Sequence, residues 1–198
     1  MKNLKPCASM KDTPVNDNHK SWKRIGERTA YKGRIHVIEH DVILPNGEHS
    51  KYEVEHHESF AVATLVTTKN NEVLLTYQYR FPLDQWIYDL PGGGKKKDET
   101  IEQAALRECQ EEIGVRPKKL TKLTRFFINP GRSELQAHVF FCNDYEIADN
   151  DTSDPSEQVE KVSIPFAKLQ AMVDDDEIVD PLLLIAWHTA RNKGYINL

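Results

Sequence analysis

Apolar positions along this chain gather in short runs, with few long periodic stretches. SFAVATLVTT (59–68) is nearly unbroken and reads as a strand buried on both faces. Lys69-Asn70-Asn71 turns the chain, and EVLLTYQYRF (72–81) reads as the next strand. QWIYDLP (85–91) is short and extended, stopped by Pro91. KKLTKLTRFFIN (118–129) and LQAHVFFC (135–142) read as strands on either side of Pro130-Gly131-Arg132-Ser133. QVEKVSIPF (158–166) is a further short strand after an acidic loop over 143–157. Upstream, over 31–58, YKGRIHVIEHDVIL and EHSKYEVEHH flank Pro45-Asn46-Gly47, and Asn-Gly between alternating segments predicts a β-hairpin or meander.

Helical periodicity is confined to three places. Over 99–113, Ala104, Ala105, Leu106 and Cys109 make an apolar side, Gly114 sits at a C-cap position, and Asp98 is the expected N-cap. AKLQAMV and IVDPLLLIAWHTARNKG are the others, the second interrupted near Pro181. Strands and helices mix without regular alternation, which predicts an α+β fold. The expected organisation is a poorly ordered polar segment over 1–20, a β subdomain over 21–58 and a main domain over 59–198.

Composition narrows the partners. Of 198 residues, 26 are Lys or Arg and 31 are Asp or Glu, a net charge of −5. That balance lacks the basic excess that nucleic acid or an anionic membrane surface requires. No apolar run approaches the ~20 residues of a membrane span, and the N-terminal residues lack a signal-peptide core. Cys7, Cys109 and Cys142 are sparse and unpaired in spacing, which suits a reducing cytoplasm.

The charge pattern becomes informative at PGGGKKKDETIEQAALRECQEEIGV (91–115). On a helix, Glu108, Glu111 and Glu112 stand at i, i+3 and i+4 and share one face. Like charges so placed repel and raise one another's pKa. Arg107, four residues before Glu111, relieves part of this by pairing. A solvated charged face is one resolution. A hard cation such as Mg²⁺, which takes oxygen ligands, is another.

The full pattern is Gly93, five residues, Glu99, seven residues, then Arg107-Glu108-Cys109-x-Glu111-Glu112-x-Gly114-Val115. It resembles the Nudix box, Gly-x5-Glu-x7-Arg-Glu-U-x-Glu-Glu-x-Gly-U, with U apolar, at all seven fixed positions. At about 7% usage per residue type, chance agreement is roughly 10⁻⁸ per start site. The resemblance implies an α/β/α sandwich that hydrolyses a nucleoside diphosphate linked to another moiety. It implies Glu108 and Glu112 as principal ligands of Mg²⁺, with Mn²⁺ a substitute, and Glu111 and the Gly92 carbonyl as further ligands. Glu99 and Arg107 would brace the loop and helix.

Beyond the box, over about residues 23–195, the chain is similar to the ADP-ribose pyrophosphatase branch. Pro130 lies fifteen residues after Val115, where that branch carries a proline. The branch implies a homodimer built through the N-terminal β-region, with an aromatic from it stacked on adenine. Trp22, Tyr31 and Tyr52 are the candidates; the alternative is that they pack the hairpin onto the body. Arg80 matches an arginine that contacts substrate phosphate, the alternative being a surface ion pair.

Gly131, Ser133 and Glu134 lie in the loop that faces substrate in this branch. Many of its members carry an acidic residue where this chain has Leu135, and Asp89 stands where glutamate is common. Glu157 is the expected general base, with Glu160 or Glu134 as alternatives. The expected reaction is hydrolysis of ADP-ribose or a related nucleoside diphosphate sugar to a nucleoside monophosphate and a sugar phosphate. GDP-mannose, another sugar nucleotide, an oxidised nucleotide, or nucleotide sensing without cleavage stand as alternatives.

Overall fold

The computed structural model describes residues 20–149 and 159–198. The chain divides into two compact units, with the boundary between Val54 and Glu55.

The first unit holds a three-stranded sheet in the order β1 (Lys23–Lys32), β2 (His36–Ile43), β3 (His49–Glu55). Its last strand runs one residue past the boundary. The Asn46-Gly47 turn forms where expected. Gly47 takes φ 91°, which an L side chain rarely adopts, and its N–H donates to Leu44 O at 2.9 Å. Of the hairpin and the meander, the sheet is the meander: β1 precedes the two strands of the Asn46-Gly47 turn. Arg28 on β1 forks onto both oxygens of Glu39 on β2, each at 2.9 Å.

The second unit is built on a mixed seven-stranded sheet in the order β12 (Val159–Pro165), β5 (Glu72–Arg80), β4 (Ala61–Thr67), β10 (Gln136–Cys142), β9 (Thr121–Phe127). β6 (Gln85–Asp89) pairs with β5, and β7 (Gly92–Gly94) pairs with β4. β4 and β10 run parallel; the other pairs are antiparallel. α1 (Ile101–Ile113) covers one face, and α2 (Phe166–Asp174) with α3 (Pro181–Asn192) covers the other.

Burial on both faces explains the unbroken apolar runs. In β4, Ala63 and Leu65 pack toward α2 and α3, while Val62 and Val66 pack toward α1. β10 repeats this, with Val139 and Phe141 on one side and Phe140 and Cys142 on the other. Such strands lose the polar alternation of a half-exposed strand. The α+β expectation is met, with helices on both faces of one sheet.

Three local expectations are corrected, and one element is new. The N-cap of α1 is Thr100, not Asp98: its hydroxyl accepts the Gln103 N–H at 3.1 Å while Gln103 Oε1 accepts the Thr100 N–H at 2.8 Å. This reciprocal pair satisfies two donors, which a lone aspartate two residues earlier does not. Pro181 starts α3 instead of interrupting a helix, since its missing N–H costs nothing at the first turn and Asp180 caps Leu183 N at 2.7 Å. The glycines 92–94, to which no element was assigned, form a strand. The stretch taken as a loop from 143 contains β11 (Tyr145–Ile147), which pairs with β8 (Val115–Pro117).

The sheet splays where the site lies. β5 pairs with β4 through Val73 and Leu74, then diverges to pair with β6 from Thr76 onward. β4 meanwhile pairs with β7 through residues 61–63. β6 and β7 thus fill the gap between diverging strands and carry Asp89 and the glycines into it.

Candidate active site

The site is assembled from α1 and β7. Thr100 fixes the start of α1, and Gly114, at φ 62°, ends it with its N–H on Gln110 O. The apolar side, Ala104, Ala105, Cys109 and Ile113, is buried against the sheet. This seats the glutamate face against β7. Burial pushes the Cys109 thiol up to about 12, so it acts as a small apolar residue.

Arg107 is the hub. Its Nε donates to Glu99 Oε1 at 2.6 Å and its Nη2 to Glu99 Oε2 at 3.1 Å. Nη1 bridges Glu108 Oε1 at 2.8 Å and Glu111 Oε2 at 2.7 Å, and Nη2 also reaches Gly94 O at 3.1 Å. Five bonds match the five N–H donors of a guanidinium. The hydrogen bonds from Arg107 hold the Glu99 carboxyl down at about 2, and the Lys96 N–H adds to them at 2.9 Å. Glu99 and Arg107 thus brace the loop to the helix, as the resemblance implied.

Glu112 accepts the Gly92 N–H at 2.8 Å, and both Glu108 and Glu112 are buried. The glycines are required by space. A Cβ on Gly92 would lie 2.3 Å from Val62 O, and one on Gly93 would lie 2.6 Å from Glu108 Oε1.

Among the described residues, no three His, Cys, Asp or Glu side chains are gathered as a ready-made ligand set. Glu108 and Glu111 instead bracket the Arg107 guanidinium. The donor chemistry nonetheless fits a hard cation. Three carboxyl groups (Glu99, Glu108, Glu111) meet one guanidinium, Glu112 lies on the Gly92 N–H, and Lys96 Nζ reaches Glu111 Oε1 at 3.9 Å, which leaves a formal excess of two negative charges beside open glycine backbone. Oxygen donors with excess negative charge suit Mg²⁺ or Mn²⁺.

A second polar cluster lies at the β5–β6 splay. Arg80 Nη2 donates to Asp89 Oδ2, an oxygen that Gln78 Nε2 also reaches at 3.3 Å. Asp89 Oδ1 accepts the Leu90 N–H at 2.9 Å. Asp180, also buried, lines the same cleft as Asp89. Burial, then the Asp89 charge, raises the Asp180 carboxyl to about 7. Arg80, Asp89 and Asp180 line an open cleft of about 280 Å³. Arg80 therefore stands in an ion pair within this cleft. Asp180 escaped the sequence reading because the cleft joins elements 91 residues apart, with no local signal.

The other sequence candidates are dispersed. Ser133 Oγ accepts the Leu135 N–H at 2.9 Å within the β9–β10 connection that also holds Gly131. Glu134 pairs with His56 Nδ1 at 2.7 Å, and Glu55 N donates to Arg132 O at 2.8 Å, so this connection is tied to residues 55–57. Glu160 is exposed on β12, opposite Tyr77. Glu157 lies outside the described residues. Trp22 and Tyr52 meet edge to face at 5.6 Å in the first unit, where Tyr31 is exposed.

The NUDIX domain model matches residues 56–183. The chain belongs to the Nudix family. This Nudix chain is 34% identical to the ADP-ribose pyrophosphatase of Bacillus subtilis (strain 168) over 160 residues, covering 80% of the chain and 86% of that protein. It is 30% identical over 166 residues to the methanol dehydrogenase activator of Bacillus methanolicus, covering 83% and 89%. It is 27% identical over 175 residues to the GDP-mannose pyrophosphatase of Yersinia enterocolitica serotype O:8 / biotype 1B (strain NCTC 13174 / 8081), covering 82% and 90%. The crystal structure of an ADP compounds hydrolase superposes with a TM-score of 0.80 at 20% identity, over 89% of this chain and 96% of that one. That likeness bears on the fold. Among the described residues no helix is long and apolar enough to cross a membrane.

Proposed function

We propose that this chain hydrolyses the diphosphate of ADP-ribose or a related nucleoside diphosphate sugar, consuming one water and releasing a nucleoside monophosphate and a sugar phosphate. The observation that carries the reading is the set of three carboxyl groups on Arg107, with Glu112 held by the Gly92 N–H, against open glycine backbone, in a family member 34% identical to an ADP-ribose pyrophosphatase. Glu108, Glu111, Glu112 and the Gly92 carbonyl would hold Mg²⁺ or Mn²⁺. Such an ion supplies Lewis acidity toward the diphosphate oxygens and the attacking water. Arg107 fixes Glu108 and Glu111, and the Gly92 N–H fixes Glu112.

Arg80 is read as a contact for substrate phosphate, and Gly131, Ser133 and Glu134 as part of the substrate-facing connection. Glu157 takes the proton from the attacking water, with Glu160 and Glu134 as the alternatives. Trp22, Tyr31 or Tyr52 would stack on the base within a cytoplasmic homodimer. Likeness to a GDP-mannose pyrophosphatase favours one second reading, a different sugar nucleotide in the same site.

The test is product identification with ADP-ribose, GDP-mannose and other sugar nucleotides in Mg²⁺, ranked by kcat/KM. ADP-ribose should yield AMP and ribose 5-phosphate, and Glu112→Gln should abolish turnover without unfolding. Full turnover in Glu112→Gln would remove the metal-ligand assignment. Binding with no product on long incubation would replace hydrolysis by sensing.

A further inference from the structure

Asp89 and Asp180 are both buried and line one cleft with a single cation, Arg80. Two ionised carboxylates in that setting exceed the one positive charge, and one bound proton relieves the excess. Asp89 is committed as an acceptor by Arg80, Gln78 and the Leu90 N–H. Asp180 accepts only the Leu183 N–H among the bonds resolved for its side chain outside this pair, which places the proton on Asp180. The apolar walls of the cleft, Leu83, Ile87 and Val179, keep the pair in a poorly solvated setting where two like charges are costly. The charged groups facing Asp180 are Asp89 from β6 and Arg80 from β5; its own helix offers only the backbone N–H.

We propose that Asp180 is a positioning residue for substrate binding: by sharing a proton with Asp89 it sets how tightly Asp89 holds the Arg80 guanidinium, forming a proton-controlled latch. The inference rests on the reading of Arg80 as a contact for the substrate diphosphate. With the proton in place, one negative charge faces Arg80, and a diphosphate can draw the guanidinium away. When the proton leaves, two negative charges face Arg80 and its release is harder. By reciprocity of linkage, losing Arg80 to substrate raises the proton affinity of the pair. KM for ADP-ribose should therefore rise from pH 6 to pH 8, on the order of fivefold to tenfold for a coupling near one pKa unit.

Asp180→Asn tests this cleanly. Asparagine caps a helix as well as aspartate does, and its amide donates to Asp89 at every pH. In the wild-type protein without substrate, carboxyl ¹³C NMR should show one aspartate titrating far above the ordinary carboxylate range, and Asp180→Asn should remove that resonance. The variant should keep a flat KM between pH 6 and 8 at saturating Mg²⁺, while its kcat profile keeps the wild-type shape. All aspartates titrating normally in the wild type would overturn the latch, with no variant needed. A KM slope that persists in Asp180→Asn would also overturn it. Arg80→Ala supplies the separate control: an unchanged KM there refutes Arg80 as a phosphate contact, and with it the consequence for substrate, whereas the NMR titration judges the pair alone.

Discussion

Two neighbouring glycines separate the needs of the fold from those of the site. Neither Gly92 nor Gly93 has a positive φ, so alanine at either position adds contact without backbone strain. At Gly92 the new Cβ meets Val62 O at 2.3 Å and Ala63 Cα at 2.9 Å, both backbone atoms of β4. Relief requires prising β7 from the strand it pairs with. Overpacking of this kind costs about 3 kcal/mol, at the upper end of the usual range. For a chain of this size that lowers Tm by roughly 6–12 °C. At Gly93 the Cβ meets Glu108 Oε1 at 2.6 Å, the end of a side chain that can retreat. Reaching an ordinary 3.4 Å moves that oxygen by about 0.8 Å and strains its 2.8 Å bond to Arg107. A displacement near 1 Å in a catalytic group costs about 10²-fold. Gly93→Ala should thus lose about 10²-fold in kcat/KM with a small change in Tm, and Gly92→Ala should lose stability first. Circular-dichroism melts and ADP-ribose hydrolysis in Mg²⁺ give both numbers. Wild-type turnover in Gly93→Ala would refute the role of Glu108. A larger Tm loss in Gly93→Ala than in Gly92→Ala would refute the contact geometry.

Three further outcomes follow from buried or paired groups. Glu99, held at about 2 chiefly by Arg107, stabilises the fold fully above its ordinary pKa and loses that contribution as pH falls toward 2; Glu99→Gln should lower Tm at pH 7 and flatten its decline between pH 5 and 2. His138 is buried against Phe60, its pKa lowered first by burial and then by Lys122 and Arg125, and neither ring nitrogen has a hydrogen-bond partner among the described residues. Its neutral form is the folded one, so stability is lost as pH falls below about 6.5; His138→Leu should narrow the Tm gap between pH 8 and pH 5, and an unchanged gap would count against the assignment. Trp187, fully buried, donates to Gln170 Oε1 at 2.8 Å; Trp187→Phe should cost about 2 kcal/mol in urea unfolding through lost volume and one lost hydrogen bond.

What could be read from the sequence was what is local. The runs at 59–68 and 135–142 became central strands because continuous apolarity reports burial on both faces. The glutamate helix and its Gly114 cap follow from spacing alone. The Thr100–Gln103 capping box was readable too, since Thr-x-x-Gln is a local pattern that outranks a single aspartate. The strand at 92–94 was not readable. Glycine has little strand propensity, and of the three that pair with β4 only Gly92 lies where a Cβ would strike that strand. Asp180 was hidden for a different reason: its partner is set by the register of the β5–β6 hairpin and the start of α3 together.

Spacing also led to the right partner for Arg107 by an incomplete route. An i, i+4 bond to Glu111 is a helix-surface interaction worth a few tenths of a kcal/mol. The structure adds Glu99 from the preceding loop, Glu108 from the adjacent position and the Gly94 carbonyl from β7. One guanidinium with all five donors engaged holds four separate groups, which no lysine could do with three donors radiating from one atom. This answers how a fold tolerates three glutamates on one helix face before any ion binds. Arg107 offsets one of the four carboxylate charges and fixes Glu99, Glu108 and Glu111, the Gly92 N–H holds Glu112, and Lys96 offsets a second charge from 3.9 Å. Two formal charges are left over, and they are a cost to folding that a ligand of opposite charge would remove. On this account Mg²⁺ should raise Tm of the substrate-free protein, and Glu112→Gln should reduce that gain while raising the Tm of the metal-free form or leaving it unchanged.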